Sequence, residues 1–287
     1  MARFTNQAQL RYGNSVANSN IAVGEILEVL SATKTAVRKV YEQDDTITYV
    51  ISVVNSGTVP LNGMTVTDNL GTYAFDATTL TPLVYVTDTV NYYINGVLQP
   101  KPTVTPGAPL AISGLNIPAG GNIVLVYEAK LNEYAPLAGE SEITNTVTIS
   151  GGGITPIQVE ETVQALSNPV LTITKSISPV PVTENGTLTY TFLIQNNGNT
   201  AAEEGTAAVI TDDFDPILKN LTVSFNGTAW TEGVDYTYDE TTGSFATIAG
   251  KVTVPAAEYV QDQVTGAWIT NPGISTLIIT GTASNAS

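Results

Sequence analysis

The chain carries one pattern twice, and no other feature restricts its fold as much. Lys34 is followed 12 residues later by Thr46 at the start of TITY, and Lys175 is followed 12 residues later by Thr187 at the start of TLTY. Tyr49 to Asn55 and Tyr190 to Asn196 are again equal steps, and they open the triplets NSG and NNG. A TVTD segment then ends at Asp68 and a VITD segment at Asp212, and each copy later contains an Asn-Gly pair, Asn95-Gly96 and Asn226-Gly227. Self-similarity at this spacing means two copies of one structural unit, joined in tandem.

Inside each copy the apolar residues alternate with polar ones at a period of two, and the segments are bounded by Gly, Asn and Pro turns, which marks strands. The alternation predicts strands at Ile47–Asn55, Met64–Asp68, Val90–Ile94, Ile123–Leu131 and Ile143–Ile149 in the first copy. In the second copy it predicts Leu188–Asn196, Ala208–Asp212, Leu221–Phe225 and Thr276–Thr282. No segment sustains a helical period. Of the 287 residues, 43% are hydrophobic, enough for each copy to bury a core of its own. The expected fold class is therefore all-β: two tandem immunoglobulin-like β-sandwich domains with an N-terminal donor strand. The expected division is residues 1–33 as donor strand and linker, 34–166 as a complete repeat, and 167–287 as a repeat lacking its last strand.

That last expectation comes from the ends of the copies. After IVLVYEAKL the first copy continues through ITNTVTISGGG and ITPIQVEETV, whereas after TLIITGTA the second reaches Ser287. The missing segment has a match at the other end of the chain. Phe4-Thr5-Asn6 aligns with Ile143-Thr144-Asn145, Gln7-Ala8-Gln9-Leu10 aligns with Thr146-Val147-Thr148-Ile149, and Gly13 and Gly151 follow. A sandwich without its last strand has an unpaired edge and exposed core, and such an edge accepts a strand from another chain. Phe4, Thr5, Asn6, Ala8 and Leu10 are the expected polymerisation donors, with Phe4, Ala8 and Leu10 sharing one face. One donor and one acceptor per molecule give a heterologous contact that grows open chains or closed rings. Two plainer readings stand beside this one. The segment could be an edge strand on the first domain, or it could fold back to close its own second domain. The latter would require residues 13–33 to cross the first domain, a span of about 70 Å when fully extended.

The residue inventory excludes whole classes of function. Ten basic residues against 26 acidic ones give a formal charge of −16, so nucleic acid is not an expected partner. There is no histidine and no cysteine, which removes Ser-His-Asp and Cys-His catalysis, the usual zinc sites, haem ligation and disulfides. The expectation is of a protein that is not an enzyme turning over a substrate, with no cofactor and no metal. The opening MARFTNQAQLRYG has no apolar core of signal-peptide length, and no run approaches a transmembrane span. Synthesis in the cytoplasm without membrane insertion is expected, or removal of a signal ahead of this numbering.

The series Lys34, TITYVISVVNSG, TVTDNLG, IPAGG and ITNTVTISG resembles the conserved repeat of bacterial surface proteins long filed as a domain of unknown function. The resemblance covers residues 30–165 well and 168–287 more weakly. The stretch FTNQAQLRYGNSVANSNIAVGEILEVLSATKTAV looks like clostridial members, among them proteins of spore appendages. The resemblance implies immunoglobulin-like modules at a cell or spore surface, made in the cytoplasm, which for a spore is that of the mother cell. The expected partners are the chain itself, in the homopolymer that donor and acceptor would build, and a spore- or cell-surface anchor protein. A monomeric adhesin recognising glycan or host protein is the alternative.

Lys34, Asp68 and Asn145 fall on the first, a middle and the last strand of the first copy, which resembles the layout of self-forming isopeptide bonds in Gram-positive surface proteins. Burial depresses a lysine pKa and frees the amine as a nucleophile, while a neighbouring acid can carry a proton to departing ammonia. The second copy holds Lys175 and Asp212 without an asparagine of its own, and Asn6 of a donated strand would supply one. The plainer reading is a Lys–Asp ion pair with a turn-stabilising Asn.

Other groupings carry less. Asp212, Asp213 and Asp215, and Glu42, Asp44 and Asp45, are acidic clusters without the spacing of a calcium loop, and solvated turns describe them better. Asn185, Asn220 and Asn226 match a glycosylation pattern in a threonine-rich chain and are given no role. Trp230, Trp268 and Tyr259 could form a carbohydrate platform or simply pack, while Tyr49 and Tyr190, at equal positions in the repeat, are expected in the core.

Overall fold

A computed structural model describes residues 2–26, 29–183 and 185–283. The architecture is all-β and divides into two compact units. One comprises residues 1–39, 44–132 and 144–163, and the other comprises residues 40–43, 133–143 and 164–287. All but one of the strands expected from alternation are present, at Thr46–Asn55, Leu61–Asp68, Asn91–Ile94, Asn122–Leu131 and Glu142–Ser150, then at Thr187–Asn196, Leu218–Phe225 and Gly273–Ala283.

In the first repeat, Asn122–Leu131 and Thr46–Asn55 form the middle of one sheet, with Leu30–Ala36 on its edge, antiparallel to Thr46–Asn55 and pairing Lys34 with Ile51. In the other sheet Leu61–Asp68 lies between Leu110–Ile117 and Glu142–Ser150, and Ile157–Ala165 follows beyond. Ile47, Tyr49, Ile51 and Val53 from one sheet and Met64, Val66, Val147 and Ile149 from the other are buried, as period-two alternation requires of strands with one face on a core.

The second repeat keeps the first of these sheets and only part of the second. Leu171–Ser178, Thr187–Asn196, Gly273–Ala283 and Leu218–Phe225 reproduce one face of the sandwich. The counterpart of Leu61–Asp68 is a three-residue strand, Thr211–Asp213, paired with Ser244–Thr247 on one side only. The expected strand at Ala208–Asp212 is corrected accordingly. In the first repeat Glu142–Ser150 pairs Val147 with Asp68 and Ile149 with Val66, and it extends the ladder; here, among the described residues, no strand occupies that side to hold Ala208–Ile210 in one.

The NSG and NNG triplets have a shared cause. The Asn55 carboxamide accepts from the Gly57 amide at 3.0 Å and donates to the Val59 carbonyl at 2.9 Å, and Asn196 does the same with Gly198 at 2.9 Å and Thr200 at 2.8 Å. Both asparagines are buried, so each turn is held from inside by a satisfied polar group.

The linker expected after the first strand is also corrected. Ala2–Asn6 pairs with Ala22–Ile26 and Gln9–Tyr12 with Ser15–Asn18, so residues 2–26 form one long hairpin. Gly13, at φ +52° in the two-residue loop between Tyr12 and Ser15, supplies the positive φ that such a turn needs. The small, polar second half, SVANSNIAVGEI, lacks the alternation by which strands are recognised. Residues 4–23 are exposed throughout, and no strand outside the hairpin pairs with it among the described residues. Neither of the plainer readings of this segment, an edge strand on the first domain or closure of the second, describes this arrangement.

Candidate crosslinking cluster and open sheet edge

Three strands bring Lys34, Asp68 and Asn145 together in the first unit. Leu30–Ala36 points Lys34 inward on the same face as Ala32 and Ala36, Leu61–Asp68 ends with Asp68, and Glu142–Ser150 carries Asn145 two residues before the partner of Asp68, Val147. All three are buried. Lys34 Nζ lies 2.8 Å from Asp68 Oδ2, and Asn145 Nδ2 donates to the same oxygen at 3.5 Å. The other carboxylate oxygen accepts from the Leu70 amide at 2.7 Å. Asn145 Oδ1 has no hydrogen-bond partner, which is costly for a buried amide oxygen and leaves its carbonyl uncommitted.

Two residues not singled out from the sequence complete this cluster. The Tyr127 hydroxyl donates to Asp68 Oδ2, and Tyr127 stacks on Tyr49 with centroids 5.7 Å apart. The Tyr49 ring lies 4.7 Å from Lys34 Nζ, so its π-face supports the cation. Burial holds the hydroxyls of both tyrosines well above the usual phenol range, which keeps both protonated, and Tyr127 is the one that donates to Asp68. Glu161, buried on Ile157–Ala165 and bonded by Lys39, adds a second negative charge near Lys34. Burial outweighs the carboxylates and lowers the Lys34 pKa from 10.5 to about 8. Parity offered a signal for Tyr127, because it stands opposite Tyr49 in the ladder.

The second repeat keeps half of this arrangement. Lys175 pairs with Asp212, and its ammonium sits 4.4 Å from the Tyr190 ring and 5.2 Å from that of Phe214. Its side chain is 38% exposed where that of Lys34 is fully covered. Ile279, opposite Tyr190, takes the place of Tyr127, so the hydroxyl that holds Asp68 has no equivalent at Asp212. Asn6, the asparagine expected for this site, is exposed on the hairpin opposite Ala22.

An open groove lies where a last strand would run. Leu171, Ile173 and Ile177, at the positions of Leu30, Ala32 and Ala36, are 36%, 50% and 43% exposed. With Ile194, Ile210 and Val252, the first two line a groove of about 310 Å3 beside the free edge of Thr211–Asp213. In the first repeat the matching space is closed by Glu142–Ser150 and Ile157–Ala165.

The remaining sequence candidates fall elsewhere. Asp44 and Asp45 pair with Lys130 at 3.7 Å and Arg38 at 3.1 Å. Trp230 stacks on Phe225 with centroids 4.8 Å apart, and the Tyr259 hydroxyl donates to the Asn197 carbonyl at 2.5 Å. Among the described residues no helix is long and apolar enough to cross a membrane.

No protein-family model matches the chain, and no curated protein matches it either. Solved structures do. The major pilin subunit of Bacillus cereus is similar at 13% identity, over 95% of this chain and 73% of that one, with a TM-score of 0.36. The pilus backbone protein of Streptococcus pneumoniae is similar at 11% identity, over 85% of this chain and 55% of that one, with a TM-score of 0.34. The collagen-binding domain of a Staphylococcus aureus adhesin is similar at 12% identity, over 49% of this chain and 99% of that one, with a TM-score of 0.30.

Proposed function

We propose that this protein is a structural subunit of a filament on a bacterial cell or spore surface. The subunits join head to tail when the N-terminal strand of one molecule fills the open edge of the second repeat in the next. The observation that carries the reading is the free side of Thr211–Asp213, flanked by exposed Leu171, Ile173 and Ile177, in a repeat whose twin has a strand at that position. Transferring the first repeat's register sets Ala8 opposite Asp212 and Leu10 opposite Ile210, which buries Leu10 and places Asn6 as Asn145 is placed. Covering such apolar side chains stabilises the joint by about 25 cal/mol per Å2.

Within the first repeat the cluster supports a covalent lock. The neutral Lys34 amine attacks the Asn145 side-chain carbonyl carbon, the carbon–nitrogen bond of the carboxamide breaks, and ammonia leaves. Asp68, in contact with both groups, carries the proton from the amine to the departing nitrogen. The same chemistry between Lys175 and an incoming Asn6, with Asp212 as the acid, would join neighbouring subunits.

The assembly reading is tested by deleting residues 1–12. The shortened chain is expected to stay folded and monomeric by size-exclusion chromatography, while the full chain gives filaments in negative stain. Filaments of unchanged form from the shortened chain would overturn it.

A further inference from the structure

We infer that the donated element is the whole hairpin of residues 2–26, inserted as a two-stranded unit. This inference rests on the assembly proposed above and identifies which part of the partner copy enters the groove.

In the first repeat the free side of Leu61–Asp68 is filled by two strands, not one. Glu142–Ser150 pairs directly with it, and Ile157–Ala165 covers the outer side, burying Glu161, Val163 and Ala165. The hairpin has the same plan: a first strand matching Ile143–Ile149, a glycine turn, and a returning strand already paired. Inserting a single strand would first break the bonds from Ala2–Asn6 to Ala22–Ile26 and from Gln9–Tyr12 to Ser15–Asn18. One backbone ladder would be exchanged for another, and a new bare edge would remain. Inserting the hairpin keeps those bonds and adds a ladder.

Side-chain size points the same way. Opposite Phe4 and Asn6 on the hairpin stand Gly24 and Ala22, and opposite Leu10 and Tyr12 stand Ala17 and Ser15. The Phe4 ring lies across Gly24, where a Cβ would come within 2.2 Å of Phe4 Cζ. The returning strand is thin on that face. In the first repeat the inward residues of the outer strand are Glu161 and Val163, and the edge strand of the other sheet carries Ala32 and Ala36 on its inward face. In the acceptor that edge carries the larger Ile173 and Ile177, so a thin outer strand and a thick edge compensate each other.

The test locks the hairpin shut in the full chain. Thr5 and Val23 are cross-strand partners, as are Gln9 and Asn18, and the chain has no cysteine of its own. The double variants T5C/V23C and Q9C/N18C therefore each form a single disulfide. If the hairpin enters intact, at least one oxidised variant polymerises within about twofold of its reduced rate. If both polymerise only when reduced, a single strand is the donor and the inference fails while the assembly stands. A second measurement uses synthetic peptides as chain terminators of the unmodified protein. Residues 2–26 should halt growth at concentrations about tenfold lower than residues 2–13, a difference of about 1.4 kcal/mol. Equal potency would overturn the hairpin alone. An unmodified chain that never polymerises would end both the assembly and this inference.

Discussion

Tyr127 donates its phenolic hydrogen to the carboxylate oxygen of Asp68 that also receives Lys34, and Ile279 stands at the matching place in the second repeat. The two lysine sites therefore differ in how firmly their acid is held. Removing the hydroxyl with Tyr127→Phe leaves Asp68 without one charge-assisted bond, worth about 1.5–3 kcal/mol. The expected result is a lag of about tenfold or more in bond formation, read as the time course of intact mass during refolding.

Condensation of Lys34 with Asn145 expels ammonia and lowers the mass of each chain by about 17 Da. Asn145→Ala should restore full mass. It should also lower the melting temperature, because a crosslink closing a loop of about 100 residues removes about 4.7 kcal/mol of unfolded-chain entropy in the chain-entropy model. Asn6→Ala should leave that intramolecular loss intact and convert a ladder resistant to boiling detergent into monomers. Tryptic peptides of Lys34 and Asn145 recovered separately at full mass would reduce the cluster to an ion pair.

In the uncrosslinked Asn145→Ala background Lys34 remains free to titrate. Its folded pKa of about 8 lies below the unfolded value of 10.5, so between them the unfolded chain binds more protons. The contribution of Lys34 to stability therefore rises with pH from about 8 to about 10.5 and is constant below that window. Urea midpoints measured against a Lys34→Met control in the same background should show this rise. A difference that is flat or falls with pH would contradict it.

Facing sets the effect of donor substitutions. Phe4 lies on the hairpin face with Asn6, whereas Gln9 belongs to the opposite face and bonds Asn18. Phe4→Asp removes about 1.5–3 kcal/mol of apolar burial from the joint and adds an unpaired charge, so it should abolish filaments that Gln9→Asp leaves nearly unchanged. Light scattering during assembly compares the two, and equal effects would refute the register.

On the acceptor side, Ile173 is half exposed in the isolated chain. Ile173→Asp should therefore shift monomer stability by no more than about 0.5 kcal/mol and yet prevent polymerisation. Loss of monomer stability well beyond that would mean that the groove is already closed.

The sequence shows why much of this fold was readable and where it was not. The strands around Tyr49 and Tyr190 alternate strictly and are bounded by asparagines that pin their own turns, so period and punctuation agree. Lys34, Asp68 and Asn145 stood out because their places on the first, a middle and the last expected strand resemble the layout of self-forming isopeptide bonds, and the structure puts all three at inward positions. Tyr127 and Glu161 did not stand out. A tyrosine in an alternating strand looks like core, and Glu161 sits in a polar run, IQVEETVQA, whose inward face only pairing reveals. Residues 15–26 resembled a linker because their strand character comes from the partner strand rather than from their own side chains.

The strand bearing Lys34 opens the first repeat, the strand bearing Asn145 is followed only by Ile157–Ala165, and the two belong to different sheets. A covalent tie between them would short-circuit the mechanical path. Tension entering at residue 34 would leave at residue 145 through side-chain bonds, and the core strands between would carry none of it. Stretched between its ends, the repeat would be inextensible from residue 34 to residue 145, so any give under load would have to come from the strand Ile157–Ala165 beyond the tie, from the joint and from the second repeat.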